Sequence, residues 1–242
     1  MFILGTICCR GGSEGVKDKN IRSLNGKPLL SHTVEQALNC GALNDVVVST
    51  DSNRIKQVAE GAGIKYVIDR PAELATDKAS KWPVFIHALE TYEAEKQVVV
   101  DYIVDMDVTV PLKTTEDISG AIRFALDNPD TDVVITGYEP ERNPYFNMME
   151  TGDDGFAYIV KKSANHVARR QDAPRVFSLT PAVYVIKKQA LYDHAHWSEA
   201  KCKIYQMPRE RAIDIDTELD YKMAEFLINQ PLTREGELNP YL

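Results

Sequence analysis

A stretch near the amino terminus, residues 8–20 (CCRGGSEGVKDKN), has a composition suited to binding an anion. It combines glycines and a serine with several cations: Gly11, Gly12, Gly15, Ser13, Arg10, Lys17 and Lys19, with Arg22 just beyond. Glycine lacks a Cβ and tolerates positive φ, so backbone N–H groups in such a loop can approach a ligand closely. Fixed cations beside those N–H groups compensate negative charge. The stretch therefore predicts a loop that binds the polyphosphate of a nucleotide.

Two other interpretations of this loop stay open at this point. One is a dinucleotide-binding turn, which has the pattern G-x-G-x-x-G and depends on backbone N–H groups and a helix dipole. The glycine spacing here is different and the cations lie inside the loop, which favours a triphosphate. The other is a glycine-rich turn whose lysines are merely solvated.

A pair of aspartates near the carboxyl terminus predicts a metal site. In the run Ile213-Asp214-Ile215-Asp216, an extended backbone places the two carboxylates on one side and the two isoleucines, buried, on the other. Two carboxylates on one side repel each other unless a cation separates them, and hard oxygen ligands near a phosphate site favour Mg²⁺. The alternative is that Asp216 caps a helix beginning near Thr217 while Asp214 is solvated.

Two arginine segments could bind a carboxylate or a phosphate. Arg70 opens the loop after the third predicted strand, and Arg169 and Arg170 precede an amide, Gln171, and an acid, Asp172. The fork geometry of a guanidinium matches both anions. A solvated surface is the alternative for the arginine pair.

Composition narrows the class of protein. The chain has 242 residues and a formal net charge of −8, which argues against duplex nucleic acid as a partner because phosphate backbones require a basic surface. The amino-terminal apolar run is too short for a membrane span and lacks the features of a signal peptide. The four cysteines show neither zinc-binding nor disulfide spacing, so we expect reduced, mostly buried thiols and a cytoplasmic location.

The elements that position these residues alternate between strands and helices. This pattern predicts one α/β domain, residues 1–242, with a mostly parallel sheet covered by helices on both faces. Strands are predicted at residues 2–7, 45–49, 65–68, 99–105, 132–136, 182–186 and 203–206, and helices at 31–40, 53–61, 83–94, 116–126 and 218–227. The polar stretches follow strand ends, where ligands bind in such sheets.

Residues 139–178 interrupt this alternation. The segment contains prolines, the turn Thr151-Gly-Asp-Asp-Gly155 and an alternating stretch at 156–160. It predicts an inserted hairpin-like arm. Because a hairpin alone cannot bury both of its faces, we expect the arm to contact a second subunit. A flap packed on its own subunit is the alternative.

Together these motifs resemble the acylneuraminate cytidylyltransferases, the CMP-sialic acid synthetases. The amino-terminal signature is Arg10-Gly-Gly-Ser13-x-Gly15 followed by Lys19-Asn20. Further features follow in the family's order over residues 2–228: Ser49-Thr-Asp-Ser52, Arg70-Pro with Leu74-Ala-Thr-Asp77, Arg169-Arg-Gln-Asp172 with Pro174, and Ile213-Asp-Ile-Asp-Thr217.

The resemblance implies a Rossmann-like nucleotidyltransferase fold and a homodimer whose arm closes the neighbouring active site. It implies a reaction of CTP with a nine-carbon 2-keto sugar acid that gives the CMP-sugar and pyrophosphate, with Mg²⁺ as cofactor. The nucleotide would contact Arg10, Gly11, Gly12, Ser13, Gly15, Lys19, Asn20, Arg70 and Ala79. The sugar acid would contact Asp107, Thr109, Arg170 and Gln171, the metal Asp214 and Asp216, and the catalytic residues would be Arg10, Lys19 and Asp216, the last as candidate base.

Three segments depart from the family pattern. Glu14 stands where many members carry lysine, and residues 107–113 (DVTVPLK) replace Gln-Pro-Thr-Ser-Pro-Leu-Arg. Residues 143–147 (NPYFN) resemble the bacterial branch that acts on legionaminic acid and related nonulosonic acids. Two further hypotheses stay open: cytidylyl transfer to the eight-carbon acid Kdo, and a catalytically silent nucleotide-binding protein of the same fold.

Overall fold

The computed structural model describes residues 1–12, 16, 18–162 and 169–230. Its strands are β1 (Ile3–Cys8), β2 (Ser23–Leu24), β3 (Lys27–Pro28), β4 (Asp45–Thr50), β5 (Val67–Asp69), β6 (Tyr102–Asp105), β7 (Val133–Tyr138), β8 (Met149–Thr151), β9 (Ala157–Ile159), β10 (Ser178–Lys187) and β11 (Cys202–Gln206). Its α-helices are α1 (Leu29–Leu38), α2 (Asn53–Gly61), α3 (Lys81–Lys96), α4 (Thr115–Leu126), α5 (Lys188–Asp193) and α6 (Glu218–Ile228).

Seven strands form one mixed sheet in the order β11-β7-β10-β6-β1-β4-β5. All neighbouring pairs are parallel except those made by β10, which is antiparallel to both β6 and β7. The predicted α/β fold with a mostly parallel sheet is confirmed. The exception has a topological reason, because the chain reaches β10 through the excursion after β7 and not through a crossover helix.

The sheet is buried on both faces, as the predicted β-branched strands require. One hydrophobic cluster contains Val46 and Val48 of β4 with residues of α1, α2, α4 and α6. The other contains Val47 of the same strand with residues of α3 and α5. Successive side chains of a strand point to opposite faces, so one run of three valines anchors helices on both sides.

Most predicted boundaries agree with the structure to within a few residues. Strand β6 begins at Tyr102 and not at the predicted position 99, since Val99 is 73% exposed in the preceding loop. Helix α5 and the short β2–β3 hairpin were not predicted. Each has too few residues to show a periodic pattern.

Side chains cap the amino termini of α2, α4 and α6. The Ser52 side chain accepts from the Ile55 N–H and caps α2. Thr114 with Asp117 and Thr217 with Asp220 form capping boxes at α4 and α6. These caps satisfy backbone N–H groups where the chain leaves the carboxyl-terminal edge of the sheet.

The segment after β7 contains a hairpin outside the main sheet. Strands β8 and β9 pair antiparallel, with Met149 opposite Ile159 and Glu150 opposite Tyr158. Gly155 adopts φ 80° in the turn between them, a conformation that side chains disfavour. The predicted hairpin within residues 139–178 is therefore present. Among the described residues, no helix is both long enough and apolar enough to cross a bilayer.

Candidate active site

A cavity of about 420 Å³ lies at the carboxyl-terminal edge of the sheet, and we call it the polar cavity. It is lined by nine residues that the sequence singled out: Arg10, Gly12, Lys19, Asn20, Arg70, Ala79, Asp107, Thr109 and Asp216. The remaining lining residues are Cys8, Cys9, Leu74, Thr76, Asp77, Lys81 and Val84. Segments that are far apart in sequence thus meet at one place.

The chain leaving β1 is fixed from both sides. The Gly11 N–H donates to Asp51 Oδ1 at 2.8 Å, and Asn20 Nδ2 donates to the Arg10 carbonyl at 2.9 Å. Gly11 lies so near α2 that a Cβ at this position would stand 2.9 Å from Ser52 Cβ. Glycine is therefore required here by close approach, not by positive φ. Ser13 and Gly15, predicted in the same loop, lie outside the described residues.

Two cations of this region, Arg10 and Lys19, form ion pairs with carboxylates of the chain itself. Arg10 pairs with Asp77. Lys19 Nζ donates to the Ile215 carbonyl at 2.6 Å and lies 3.2 Å from Asp216 Oδ1. The Lys19 side chain is 14% exposed and that of Asp216 is 74% exposed, so the lysine is the anchored member of the pair.

The two aspartates of the 213–216 run have different environments. Ile215 is fully buried and its N–H donates to the Thr109 carbonyl at 2.8 Å, which fixes the run beside the 107–113 loop. Burial raises the pKa of Asp214 to about 6, and the charges of Asp107 and Asp216 act in the same direction. The expected burial of both isoleucines is only half right, because Ile213 is half-buried.

The alternative role of Asp216 as a helix cap is not what the structure shows. Thr217 caps α6 through its hydroxyl, with Asp220 completing the capping box. Asp216 does not serve as the cap, and its carboxylate instead faces Lys19 and the polar cavity.

The aspartate pair fits a hard cation. Asp214 Oδ1 is buried and has no hydrogen-bond partner, and a carboxylate oxygen in that state is stabilised by a nearby positive charge. Within the described ranges no three His, Cys, Asp or Glu side chains form a metal cluster. A cation here would therefore take its other ligands from phosphate oxygens and water, as Mg²⁺ commonly does.

Arg70 is buried, with 8% of its surface exposed, and it closes the end of β4. Its Nη2 donates to the Ser49 carbonyl at 2.7 Å and its Nε to Ser49 Oγ at 3.3 Å. The backbone N–H of Arg70 donates to the Thr50 carbonyl at 2.9 Å. This anchoring fixes the orientation of the guanidinium that lines the polar cavity.

The loop after β6 is stabilised by two lysines, neither of which was predicted to have a role in the site. Asp107 Oδ1 accepts from the N–H and the hydroxyl of Thr109, both at 3.0 Å, and Asp107 also pairs with Lys81. Burial would raise the pKa of Asp107, but Lys81 and Thr109 outweigh it and lower the pKa to about 2. The fully buried Lys113 donates to the carbonyls of Asp107 and Val110 and to the Thr33 hydroxyl.

Two predicted sugar contacts lie away from this cavity in the same chain. Arg170 and Gln171 are exposed in a short 3-10 turn, Arg170–Asp172, and do not line the polar cavity. The neighbouring Arg169 forms a paired contact with Asp172, with its Nε 2.8 Å from Asp172 Oδ2. Their sugar-binding role stays a prediction.

The sequence matches a known protein family over most of its length. Residues 4–236 match the family model described as cytidylyltransferase. The chain belongs to the cytidylyltransferase family. It is therefore a nucleotidyltransferase, and the resemblance drawn from its motifs is confirmed.

Relatives and a solved structure agree with this assignment. The chain is 35% identical to a CMP-N,N'-diacetyllegionaminic acid synthase of Campylobacter jejuni over 94% of this chain and 95% of the relative. It is 30% identical to an N-acylneuraminate cytidylyltransferase of Streptococcus agalactiae over 89% of this chain and 50% of the relative. A solved CMP:2-keto-3-deoxy-manno-octonic acid synthetase complexed with CTP aligns with TM-score 0.68 and 16% identity, covering 94% of this chain and 98% of that one. At this identity the structural likeness shows the fold alone.

We expect Asp214→Asn to stabilise the metal-free protein at neutral pH. The pKa of this carboxyl rises from an ordinary 3.8 to about 6 on folding, so the folded state binds more protons between these values. The free energy of unfolding therefore falls as the pH rises through this window and stays lower above it. Asn is always neutral, so the variant should gain about 1–2 kcal/mol above the window, allowing for partial exposure, and nothing below it.

Urea unfolding with a chelator, at pH values on either side of the window, measures this difference. Asp153→Asn, an exposed position in the hairpin turn, is the matched control. A gain of equal size below and above the window would contradict the burial of the Asp214 charge.

Proposed function

We propose that this cytidylyltransferase transfers the cytidylyl group of CTP to a nine-carbon 2-keto sugar acid, releasing pyrophosphate. The observation that carries the proposal is the convergence of Arg10, Lys19 and Asp216 on one cavity, from segments about two hundred residues apart. Cations for a triphosphate and one of the two carboxylates proposed for a metal thus line the same cavity. The named relatives act on sugar acids of this class, which supports the choice of acceptor.

CTP would lie along the wall of the polar cavity formed by the chain after β1. Its triphosphate would contact Arg10, Gly11, Gly12, Lys19 and Asn20, together with the predicted Ser13 and Gly15. Arg70 and Ala79 would lie beside the cytosine and ribose. The support is that the described members of this set other than Gly11 line the cavity, and that Gly11 lies in the chain between two of the lining residues, Arg10 and Gly12.

The reaction brings two anions together, so charge neutralisation and positioning carry most of the catalysis. The anomeric hydroxyl of the sugar acid attacks the α-phosphorus in line, a new C–O–P linkage forms, and the bond to the bridging oxygen of pyrophosphate breaks. Arg10 and Lys19 neutralise the charge that develops on the α-phosphate and the leaving pyrophosphate. Asp216, which is largely exposed at the cavity, accepts the hydroxyl proton.

Asp214 and Asp216 would hold Mg²⁺. When bound, the ion would neutralise phosphate charge and act as a Lewis acid. The support from this chain is the buried Asp214 oxygen that has no hydrogen-bond partner. The negative charges of Asp107 and Asp216 also act on Asp214, and a cation would offset them.

The sugar acid would lie at the Asp107–Thr109 end of the polar cavity. A second cavity of about 380 Å³ adjoins this end, lined by Ser80, Lys81, Trp82, Phe85, Tyr184, His196 and Trp197, and we call it the aromatic cavity. Its apolar rings suit the acylamino groups of a legionaminic-type acid. Arg170 and Gln171 would reach the sugar of a neighbouring subunit.

No described feature favours Kdo as the acceptor, since the likeness to the octonic acid synthetase is one of fold. A catalytically silent role is disfavoured because Lys19 and both aspartates are retained. We also propose a cytoplasmic location, supported by four free cysteines, of which Cys9 and Cys40 are buried.

We further propose that the segment 139–178 is an arm that forms a homodimer. The hairpin exposes large apolar side chains: Met149 by 59%, Phe156 by 67%, Tyr158 by 45% and Val160 by 37%. A two-stranded hairpin is marginally stable by itself, and a contiguous exposed apolar surface marks an interaction site.

A panel of sugar acids offered with CTP tests the proposed acceptor, read by pyrophosphate release. We expect the fastest turnover with a diacetylated legionaminic acid and slower turnover with N-acetylneuraminic acid. Reaction with N-acetylneuraminic acid alone would overturn the legionaminic preference. Preferential reaction with Kdo would move the chain to the eight-carbon class, and no turnover with any acid would favour the silent nucleotide-binding protein.

Asp216→Asn is expected to lower turnover by about 100-fold or more, because it removes both the proposed base and a metal ligand. CTP affinity measured without metal should be retained or increased, since Lys19 loses its carboxylate partner. Pyrophosphate release and calorimetric CTP binding measure the two effects, with Asp153→Asn as the control. Turnover of the variant near that of the wild type at saturating Mg²⁺ would contradict the proposed role of Asp216.

Phe156→Asp combined with Met149→Asp is expected to convert the proposed dimer into a monomer of 27.2 kDa, because each change places a charge in the apolar interface. Light scattering coupled to size-exclusion chromatography measures the mass. Val99→Asp, equally exposed but on the opposite edge of the sheet, is the control. An unchanged mass for the double variant would argue against the arm as the dimer contact.

A further inference from the structure

Lys81 occupies the boundary between the two cavities. It is the first residue of α3, directly after the N-cap Ser80, and it lines both the polar cavity and the aromatic cavity. Its side chain is 40% exposed, although two nearly buried carboxylates lie beside it. A cation is therefore accessible at the point where nucleotide and sugar would meet.

Two aspartates from the end of β6 and the loop that follows hold this ammonium. Asp107 forms a close ion pair with Lys81, and Asp105 Oδ2 lies 3.6 Å from Lys81 Nζ. The Asp105 side chain is 1% exposed, its Oδ1 accepts from the Thr6 hydroxyl at 3.1 Å, and its Oδ2 has no hydrogen-bond partner. Without Lys81, two carboxylates would face a site whose substrates are both anions.

The hydrogen-bond capacity of Lys81 is not used up by these partners. An ammonium has three donors. Asp107 takes one and Asp105 attracts a second, while the described residues provide no hydrogen-bond acceptor for the third. The face of the Tyr184 ring, 5.6 Å from Nζ, adds a weak cation–π attraction only.

The distribution of charge separates Lys81 from the other cations of the site. Arg10, Lys19 and Arg70 line the polar cavity but are not among the residues that line the aromatic cavity. Among the described residues that line the aromatic cavity, Lys81 is the single lysine or arginine. A sugar acid that enters there carries one carboxylate, and this cation is the available match for it.

We infer that Lys81 binds the carboxylate of the sugar acid at the junction of the two cavities, and that Asp105 and Asp107 hold it in place. The inference rests on the proposed function and adds a substrate-binding residue to it. Asp107 then acts through Lys81 as a positioning residue. Lys81 and Asp107 then act as one ion-paired unit.

A cycle of enzyme and substrate changes tests the inference. The wild type and Lys81→Met are each assayed with CTP and either the preferred sugar acid or its neutral C1 amide. The wild type should prefer the acid, and Lys81→Met should lower kcat/KM for the acid by about 10- to 100-fold, the loss expected for one charged hydrogen bond. The amide carries no carboxylate, so its kcat/KM should differ by less than about threefold between the two enzymes.

A companion variant keeps the test informative if removal of the lysine destabilises the fold. Lys81→Met alone leaves the carboxylates of Asp105 and Asp107 without their cation, and adding Asp107→Asn removes one of these two charges. The double variant should melt near the wild-type temperature. It should still fail to discriminate the acid from the amide. Lys81→Arg should retain part of the discrimination.

Each remaining outcome overturns a defined statement. Equal losses of kcat/KM for the acid and the amide would mean that Lys81 only neutralises Asp105 and Asp107 and does not bind the carboxylate of the sugar acid. A fall in calorimetric CTP affinity with unchanged acid discrimination would assign it to the nucleotide. Wild-type enzyme inactive with every sugar acid would overturn the proposed function, and the inference with it, whereas an active enzyme lacking the discrimination overturns the inference alone.

Discussion

The contact of Lys19 with Ile215 and Asp216 joins the two ends of the chain at one edge of the sheet. Lys19 Nζ donates to the Ile215 carbonyl at 2.6 Å and lies 3.2 Å from the Asp216 carboxylate. The carbonyl is itself fixed, because the Ile215 side chain is fully buried and its N–H is bonded to Thr109. The loop after β1, the loop after β6 and the segment before α6 therefore hold one another, and the polar cavity depends on all three.

A second constraint is that cations must be present in the site before the anions arrive. Arg10 is paired with Asp77, Lys19 with Asp216, and Lys81 with Asp107. Such pairs keep each positive group oriented, so that little reorganisation is needed when a phosphate or carboxylate binds. They also limit the net positive charge of the free site. Although the chain has a net charge of −8, these cations lie together at the edge of the sheet where the two anionic substrates would bind.

The antiparallel strand β10 links the sheet to the hairpin. Thr136 Oγ1 donates to the Thr180 carbonyl at 2.8 Å, within an irregular stretch of the β7–β10 pairing between Leu179 and Tyr184. Such irregularities bend a strand and re-aim its side chains. Beyond the irregularity, Tyr184 lines the aromatic cavity, while the chain on the other side leads toward the exposed hairpin. One strand therefore connects the site with the segment that we propose as the dimer arm.

The sequence by itself determined the alternation of strands and helices and the identity of most cavity residues, since composition, periodicity and motif order are local properties of the chain. It could not distinguish Asp214, which has a buried oxygen without a hydrogen-bond partner, from the exposed Asp216. Alternation along an extended chain places both carboxylates on one side but does not show which residues pack against that side. The pairing of Lys81 with Asp105 and Asp107 could not be predicted from the sequence either. Burial and ion pairing arise between segments that meet only when the sheet has formed, so the tertiary structure alone decided them.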